Sequence, residues 1–315
     1  MTKLINRILE SRMAIAFFKV TRSIKPWGFE GLSLYAVARF FIEGIQKGAL
    51  ATRAAAISFR IFLAIFPVII LLMTLIPIIP IENFQQDLFD SIRAFFPGDT
   101  FSLFETTVNE LINKTHNTVF SIGFILSLYY ASNSVNAILQ GFNGSYNLNR
   151  KGNPLIIRLI SVLLLLILGL LIFIAVALII FSGVALEKLI EMEVLTEGAA
   201  FSVTIAKWIF TFLLVYGSIS LLYNFGDLKN TKWRTFSAGV TFSTLLFIIT
   251  SLGFAWFVNN LATYNKLYGT LGSVLLLMIW VNVNNMILLL GFELNTSIQR
   301  AKMNLQAHDE NYIDV

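Results

Sequence analysis

Asn282, Asn285, Glu293 and Thr296 recur within one strongly apolar stretch, and wound as a helix they fall within about 80° of one another. Asn284 and Asn295 fall on a different face of the same winding. Tyr129, Asn133, Asn136, Gln140 and Asn143 make a similarly narrow stripe in a second stretch. Polar groups are costly in an apolar surrounding, so stripes of this kind have two readings. They can converge on a water-accessible cavity for a polar or amphipathic solute, or they can hydrogen-bond neighbouring helices at about 0.6 kcal/mol each. Two amides and an acid on one face, and four amides on the other, exceed what packing requires, which favours the cavity for these two stripes. The candidate lining is therefore Asn133, Asn136, Gln140, Asn282, Asn285 and Glu293, with Arg60. The hydroxyl faces Thr204, Lys207, Thr211, Ser218 and Ser237, Thr241, Thr244, Ser251 fit helix packing better.

Other chemistries find little material. There is no cysteine, which removes disulfides, thiolate nucleophiles, Cys-ligated zinc and iron–sulfur clusters. The two histidines, His116 and His308, are far apart and flanked by no ligand-type cluster, so no metal site is expected. A two-metal nuclease needs several carboxylates together, and the connections predicted to share one face offer a single acid, Asp227, apart from the termini. No glycine-rich phosphate loop or Walker lysine occurs. Neither an enzyme nor a cofactor is expected.

The elements that must carry these residues are membrane helices. Of 315 residues 57% are hydrophobic and 13% charged, about half the charge of a soluble domain, with a mean hydropathy of +0.76. Lipid has to solvate that much apolar surface, and backbone groups must then be satisfied within the protein. A hydrocarbon core of about 30 Å needs about 20 residues of helix. Six spans meet that length, near Ala54–Pro80, Thr118–Phe142, Leu155–Ala185, Val203–Asn224, Thr235–Val258 and Gly269–Ser297. Eighteen Lys/Arg fall on the side of the N-terminus, the 2–3 and 4–5 connections and the tail, against five on the other side. That side is expected to be cytoplasmic, with both ends of the chain in it. The net charge of +5 is explained by this topology, so no nucleic-acid partner is expected. Met1 to Lys25 has basic residues throughout and does not read as a signal peptide.

Two features lie outside the spans. Leu34, Ala38, Phe41, Ile42, Ile45 and Ala49 recur at helical spacing, with Arg39, Glu43 and Lys47 as a charged stripe. This predicts an amphipathic cytoplasmic helix, either resting on the membrane surface with Phe41 and Ile45 toward lipid or packed on the bundle. Between spans 1 and 2, residues 81–117 carry two apolar stripes broken at Pro97-Gly98-Asp99, which predicts an external helical hairpin. Pro67, Pro77 and Pro80 are expected to kink span 1 or end it early. The chain thus divides into an N-terminal region, residues 1–52, a six-helix membrane domain, 53–300, and a cytoplasmic tail, 301–315.

Arg53-Ala54-Ala55-Ala56-Ile57-Ser58-Phe59 followed by Phe66-Pro67, and Tyr268-Gly269-Thr270-Leu271-Gly272-Ser273 with Trp280 and Leu290-Gly291-Phe292-Glu293-Leu294-Asn295, form two motifs. Together with Asn143 to Tyr146 and Tyr264, they resemble the YihY/BrkB family over about Arg53 to Arg300. The chain departs from the family pattern at Arg60, at Ala64 and at Gly226-Asp227. The resemblance implies a bacterial inner-membrane protein linked to envelope and lipid or virulence-factor export. The family's old ribonuclease label has no carboxylate cluster here to support it.

The functional expectation is a transporter of a lipid or other amphipathic anion, with membrane lipids as partners. The rival is a non-transporting scaffold for envelope integrity or secretion, with envelope or secretion proteins as partners. Depth supplies one further expectation. If the spans end at the membrane edges, Arg60 lies about 9 Å deep and Glu293 about 6 Å, so the two are expected to pair across the cavity floor. In the alternative, Arg60 snorkels to the headgroups and Glu293 bonds a neighbouring helix end.

Overall fold

The computed structural model describes residues 21, 23–26, 28–75, 117–146, 153–191, 197–227, 233–260 and 262–313. Among them no strand occurs. The seven long helices are α1 (Leu34–Lys47), α2 (Leu50–Leu75), α3 (Asn117–Asn143), α4 (Pro154–Glu191), α5 (Glu197–Gly226), α6 (Ala238–Asn260) and α7 (Ala262–Ile313). The last six are each long and apolar enough to cross a membrane, and the protein is an all-α multi-pass membrane protein. The predicted hairpin over residues 81–117 lies outside the described residues, except that Asn117 opens α3.

Local chemistry sets several helix starts. Asn153 Oδ1 accepts from Leu155 N at 3.0 Å, and Pro154 fills the first helical position, where a missing N–H costs nothing. Ser237 caps α6 through Val240 N at 3.3 Å, and Ser33 caps α1 through Ala36 N at 3.3 Å. The α2 helix continues through Pro67 to Leu75 instead of ending there. At the other extreme α7 runs 52 residues, well past the predicted end at Ser297.

The spans pack in chain order into a closed ring. α2 lies against α3, α3 against α4, α4 against α5, α5 against α6, α6 against α7, and α7 returns to α2. Outside the ring α1 packs on α7. Val37 of α1 is buried there, with Phe40 and Phe41 packed against Leu294, Ile298 and Ala301. Phe41 is thus half-buried against the bundle, while Ile42 and Ile45 stay exposed. The contact also puts α1 and the later part of α7 at one end of the ring.

The buried core occupies that same end. It consists of Leu50, Ala54 and Ile57 early in α2, Leu139 and Phe142 late in α3, and Ile157 and Leu164 early in α4. Ile219, Leu222 and Tyr223 late in α5, Val240 early in α6, and Leu289 and Phe292 of α7 complete it, with Val135, Ala137 and Ile138 of α3 and Tyr216 of α5. Phe292 stacks on Phe142 with ring centroids 4.3 Å apart and planes at 15°. On α5 Phe201, Val203, Ile205, Trp208, Ile209, Phe210 and Leu213 are all exposed, and at 100° per residue they cover more than half of the helix circumference.

The closed end is also the basic one, carrying Lys47, Arg53, Arg234, Arg300 and Lys302. Reporters fused after Lys151, Lys232 and Arg300 are expected to read cytoplasm, and reporters within residues 81–117 to read the exterior. A cytoplasmic signal from that connection would break the six-span arrangement.

Candidate functional site

Glu293 sits on α7 with 0% exposure, in the middle of the closed end. Its cation is Arg53, whose Nη2 lies 3.9 Å from Glu293 Oε2. Arg53 stands one turn into α2, and its Nη1 donates to Gly141 O at 2.6 Å. That carbonyl belongs to the last turn of α3, where the helix leaves acceptors unpaired and its dipole is negative. One guanidinium therefore ties α2, α3 and α7 together. Room for it comes from glycines: a Cβ on Gly144 would stand 3.0 Å from Arg53 Cδ, and one on Gly48 2.9 Å from Nη2. Ser145 Oγ, just past α3, lies 3.2 Å from Thr296 Oγ1 and adds a second α3–α7 link.

The expected Arg60–Glu293 pair is therefore corrected: Arg60 Nη1 reaches Gln140 Oε1 at 3.5 Å, and Arg53 takes the acid. The error lies in the depth estimate, which assumed that both helices end at the membrane edge. Because α7 overshoots, Glu293 meets α2 about two turns nearer its start, and Arg53 lies seven residues before Arg60 on nearly the same face.

The other stripe residues divide between two places. Asn285 donates to Ser58 Oγ at 2.9 Å, so the α7 stripe faces α2, with Asn282 half-buried one turn away. On α3, Asn133 and Asn136 are half-buried and Gln140 is exposed, and Arg158 of α4 lies 5.5 Å over the Tyr129 ring. Asn284 and Asn295, off the main stripe, bond α6. Asn284 Oδ1 accepts from Thr250 Oγ1 at 3.3 Å, and Asn295 Oδ1 from Gly239 N at 2.8 Å.

Two groups were not singled out from the letters. The Tyr223 hydroxyl donates to Leu288 O at 2.7 Å and lies 2.6 Å from Ser243 Oγ, pinning α5 and α6 to α7. Beside it a cavity of about 30 Å³, lined by Asn224, Asp227, Arg234, Asn295 and Gln299 among others, is roomy enough for two waters at about 10–15 Å³ each. At the rim Glu30 pairs with Arg234 and, at 2.6 Å, with Lys302. Lys47 bonds Glu43 at 2.7 Å and thereby holds its carboxyl below the ordinary value, and the same bond raises Lys47. Arg300 lies over the Tyr146 and Phe40 rings at 5.2 and 5.5 Å. The signal that could have found Arg53 is its place at the head of the span 1 motif, opposite a motif containing the only acid of span 6.

Among proteins of known sequence, the chain is 28% identical over 252 residues to a Bacillus subtilis (strain 168) protein named as ribonuclease-like, YfkH, covering 80% of this chain and 90% of that one. It is 23% identical to the UPF0761 membrane protein MS0032 of Mannheimia succiniciproducens, over 83% of this chain and 88% of the relative. The UPF0761 membrane protein NTHI0384 of Haemophilus influenzae (strain 86-028NP) is 18% identical, over 85% and 96%. No solved structure matches the chain. The family model for virulence factor BrkB matches residues 41–312, so both motifs, Arg53 and Glu293 fall inside it, and the chain belongs to the BrkB family of membrane proteins.

Proposed function

We propose that this protein is a transporter of a lipid or other amphipathic anion in the bacterial inner membrane. The observation that carries this reading is the asymmetry of packing. Among the described residues the ring is closed at its basic end by Arg53, Glu293 and an aromatic core, and farther along α5 exposes a broad apolar face. The charge bias makes the closed end cytoplasmic. A face of Ile, Leu, Phe and Trp offers nothing to a small hydrophilic solute and suits an acyl chain. Inward opening would have to part α2 from α7 at the Arg53–Glu293 contact.

The scaffold reading draws on a different observation: Asn284, Asn285 and Asn295 all make bonds to other helices, as packing residues do. The family description names no catalytic activity, and among the described residues no three His, Cys, Asp or Glu gather in one place.

Leaflet exchange of labelled lipids in proteoliposomes decides between the two. Purified protein is expected to accelerate exchange of labelled phosphatidylglycerol above protein-free vesicles. An unchanged rate across anionic and zwitterionic lipids, with correctly inserted protein, would overturn transport and leave the scaffold.

A further inference from the structure

Two arginines in the membrane-spanning residues pair with no acid among the described residues. The ion pairs among the described residues are Glu43–Lys47, Arg53–Glu293, Glu30–Arg234 and Glu30–Lys302. Arg60, within the span Leu50–Val68, and Arg158, within Pro154–Ala175, are in none of them. Both turn instead to α3. Arg60 makes a long bond to Gln140, 3.5 Å, and its carbonyl accepts from Ser134 Oγ at 2.9 Å. Arg158 rests on the Tyr129 ring. Tyr129, Asn133, Asn136 and Gln140 lie within about 60° of one another and reach over about 16 Å of helix. The strip is thus polar along its length, with a guanidinium contact at each end.

Two positive charges in low dielectric call for negative charge, and nothing described in the chain supplies it. The amides leave capacity as well: Asn136 Oδ1 is buried without a hydrogen-bond partner, the usual mark of a bound polar group or water. The flanks are apolar and open. Phe59 and Leu63 beside Arg60, and Leu155 and Leu159 beside Arg158, are all exposed. A soluble anion has no use for those side chains, whereas a lipid has acyl chains to lay on them.

We propose that the α3 strip Tyr129–Asn133–Asn136–Gln140, with Arg60 and Arg158, binds the headgroup of an anionic phospholipid. Guanidinium forks match phosphate oxygens, and the amides hydrogen-bond the ester and headgroup oxygens. The proposal rests on the transport reading only in taking the bound lipid as cargo. Binding stands or falls by its own measurement.

That measurement is lipid retention by the full chain in mild detergent, read by native mass spectrometry with phosphatidylglycerol and phosphatidylcholine offered at equal concentration. The wild type is expected to retain phosphatidylglycerol preferentially. Arg60→Gln with Arg158→Gln is expected to reduce that retention about tenfold or more, with phosphatidylcholine unchanged. The doubly lysine-substituted protein, which keeps the charge, is expected to keep most of the preference. If the double glutamine variant does not survive extraction, each single substitution is expected to lose part of the preference. Equal retention of the two lipids by the wild type would overturn the site. So would an equal loss on Arg39→Gln, an exposed arginine on α1, because generic surface charge would then account for the preference. Displacement by excess inorganic phosphate would make it a soluble-anion site and overturn the lipid assignment. Retention without leaflet exchange would sink transport alone, and exchange without preferential retention would sink this site alone.

Discussion

Arg53→Gln is expected to destabilise the protein by about 3 kcal/mol, more than Glu293→Gln, with the double substitution costing less than the two singles summed. The asymmetry follows from what each residue holds. Arg53→Gln removes the donor to Gly141 O and leaves a carboxylate whose side chain is 1% exposed without its cation. Glu293→Gln leaves Arg53 its bond to Gly141 and an amide of nearly the same shape beside it. A buried charge that has lost its partner is the costly state, and removing both charges avoids it. The figure is at the low end for a broken buried pair because the Arg53 side chain is 16% exposed and the contact, at 3.9 Å, is long. Unfolding of the detergent-solubilised protein in a double-mutant cycle reads the coupling. Additivity within about 0.5 kcal/mol would show that the two charges do not interact.

Apolar runs, with the charge pattern for the second, place the six spans, because lipid imposes a length that no other solvent does; the span Pro154–Ala175, with a mean hydropathy of 3.1, could hardly be read otherwise. The wheel also separates Asn284 and Asn295 from the main α7 stripe, and they turn out to face α6 while Asn285 faces α2. Axial offsets are another matter. Hydropathy ends where the membrane does, but α7 goes on as a polar helix, and its overshoot decides both which arginine meets Glu293 and which face of α1 finds a partner. A one-dimensional pattern fixes the angle of a residue about its helix and leaves its height relative to the next helix open. Gly239 and Gly291 escape notice for the same reason: nothing in either neighbourhood says that the two stand opposite each other.

That crossing leaves Gly291 no room for a side chain. A Cβ there would lie 1.9 Å from Ser243 Oγ, 2.5 Å from the Tyr223 hydroxyl and 2.6 Å from Gly239 O, and one on Gly239 would lie 2.1 Å from Gly291 O. Ser243 Oγ could rotate away at the loss of its 3.0 Å bond to Ile287 O, but the Gly239 carbonyl is backbone and moves only with α6. Gly291→Ala is accordingly expected to cost about 3 kcal/mol through forced separation of α6 from α7, and Gly291→Leu to prevent recovery of folded protein. Adding Ser243→Gly should restore only part of the loss, since the carbonyl contact remains. Gly253 of the same α6 gives the contrast: a Cβ there meets nothing within 4 Å, so Gly253→Ala should be neutral or stabilising by up to about 1 kcal/mol through helix propensity. Thermal unfolding of the three variants beside the wild type makes the comparison. If Gly291→Ala is no less stable than Gly253→Ala, α6 and α7 do not cross at backbone contact, and the anchoring of Tyr223 and Asn295 at that crossing falls with it.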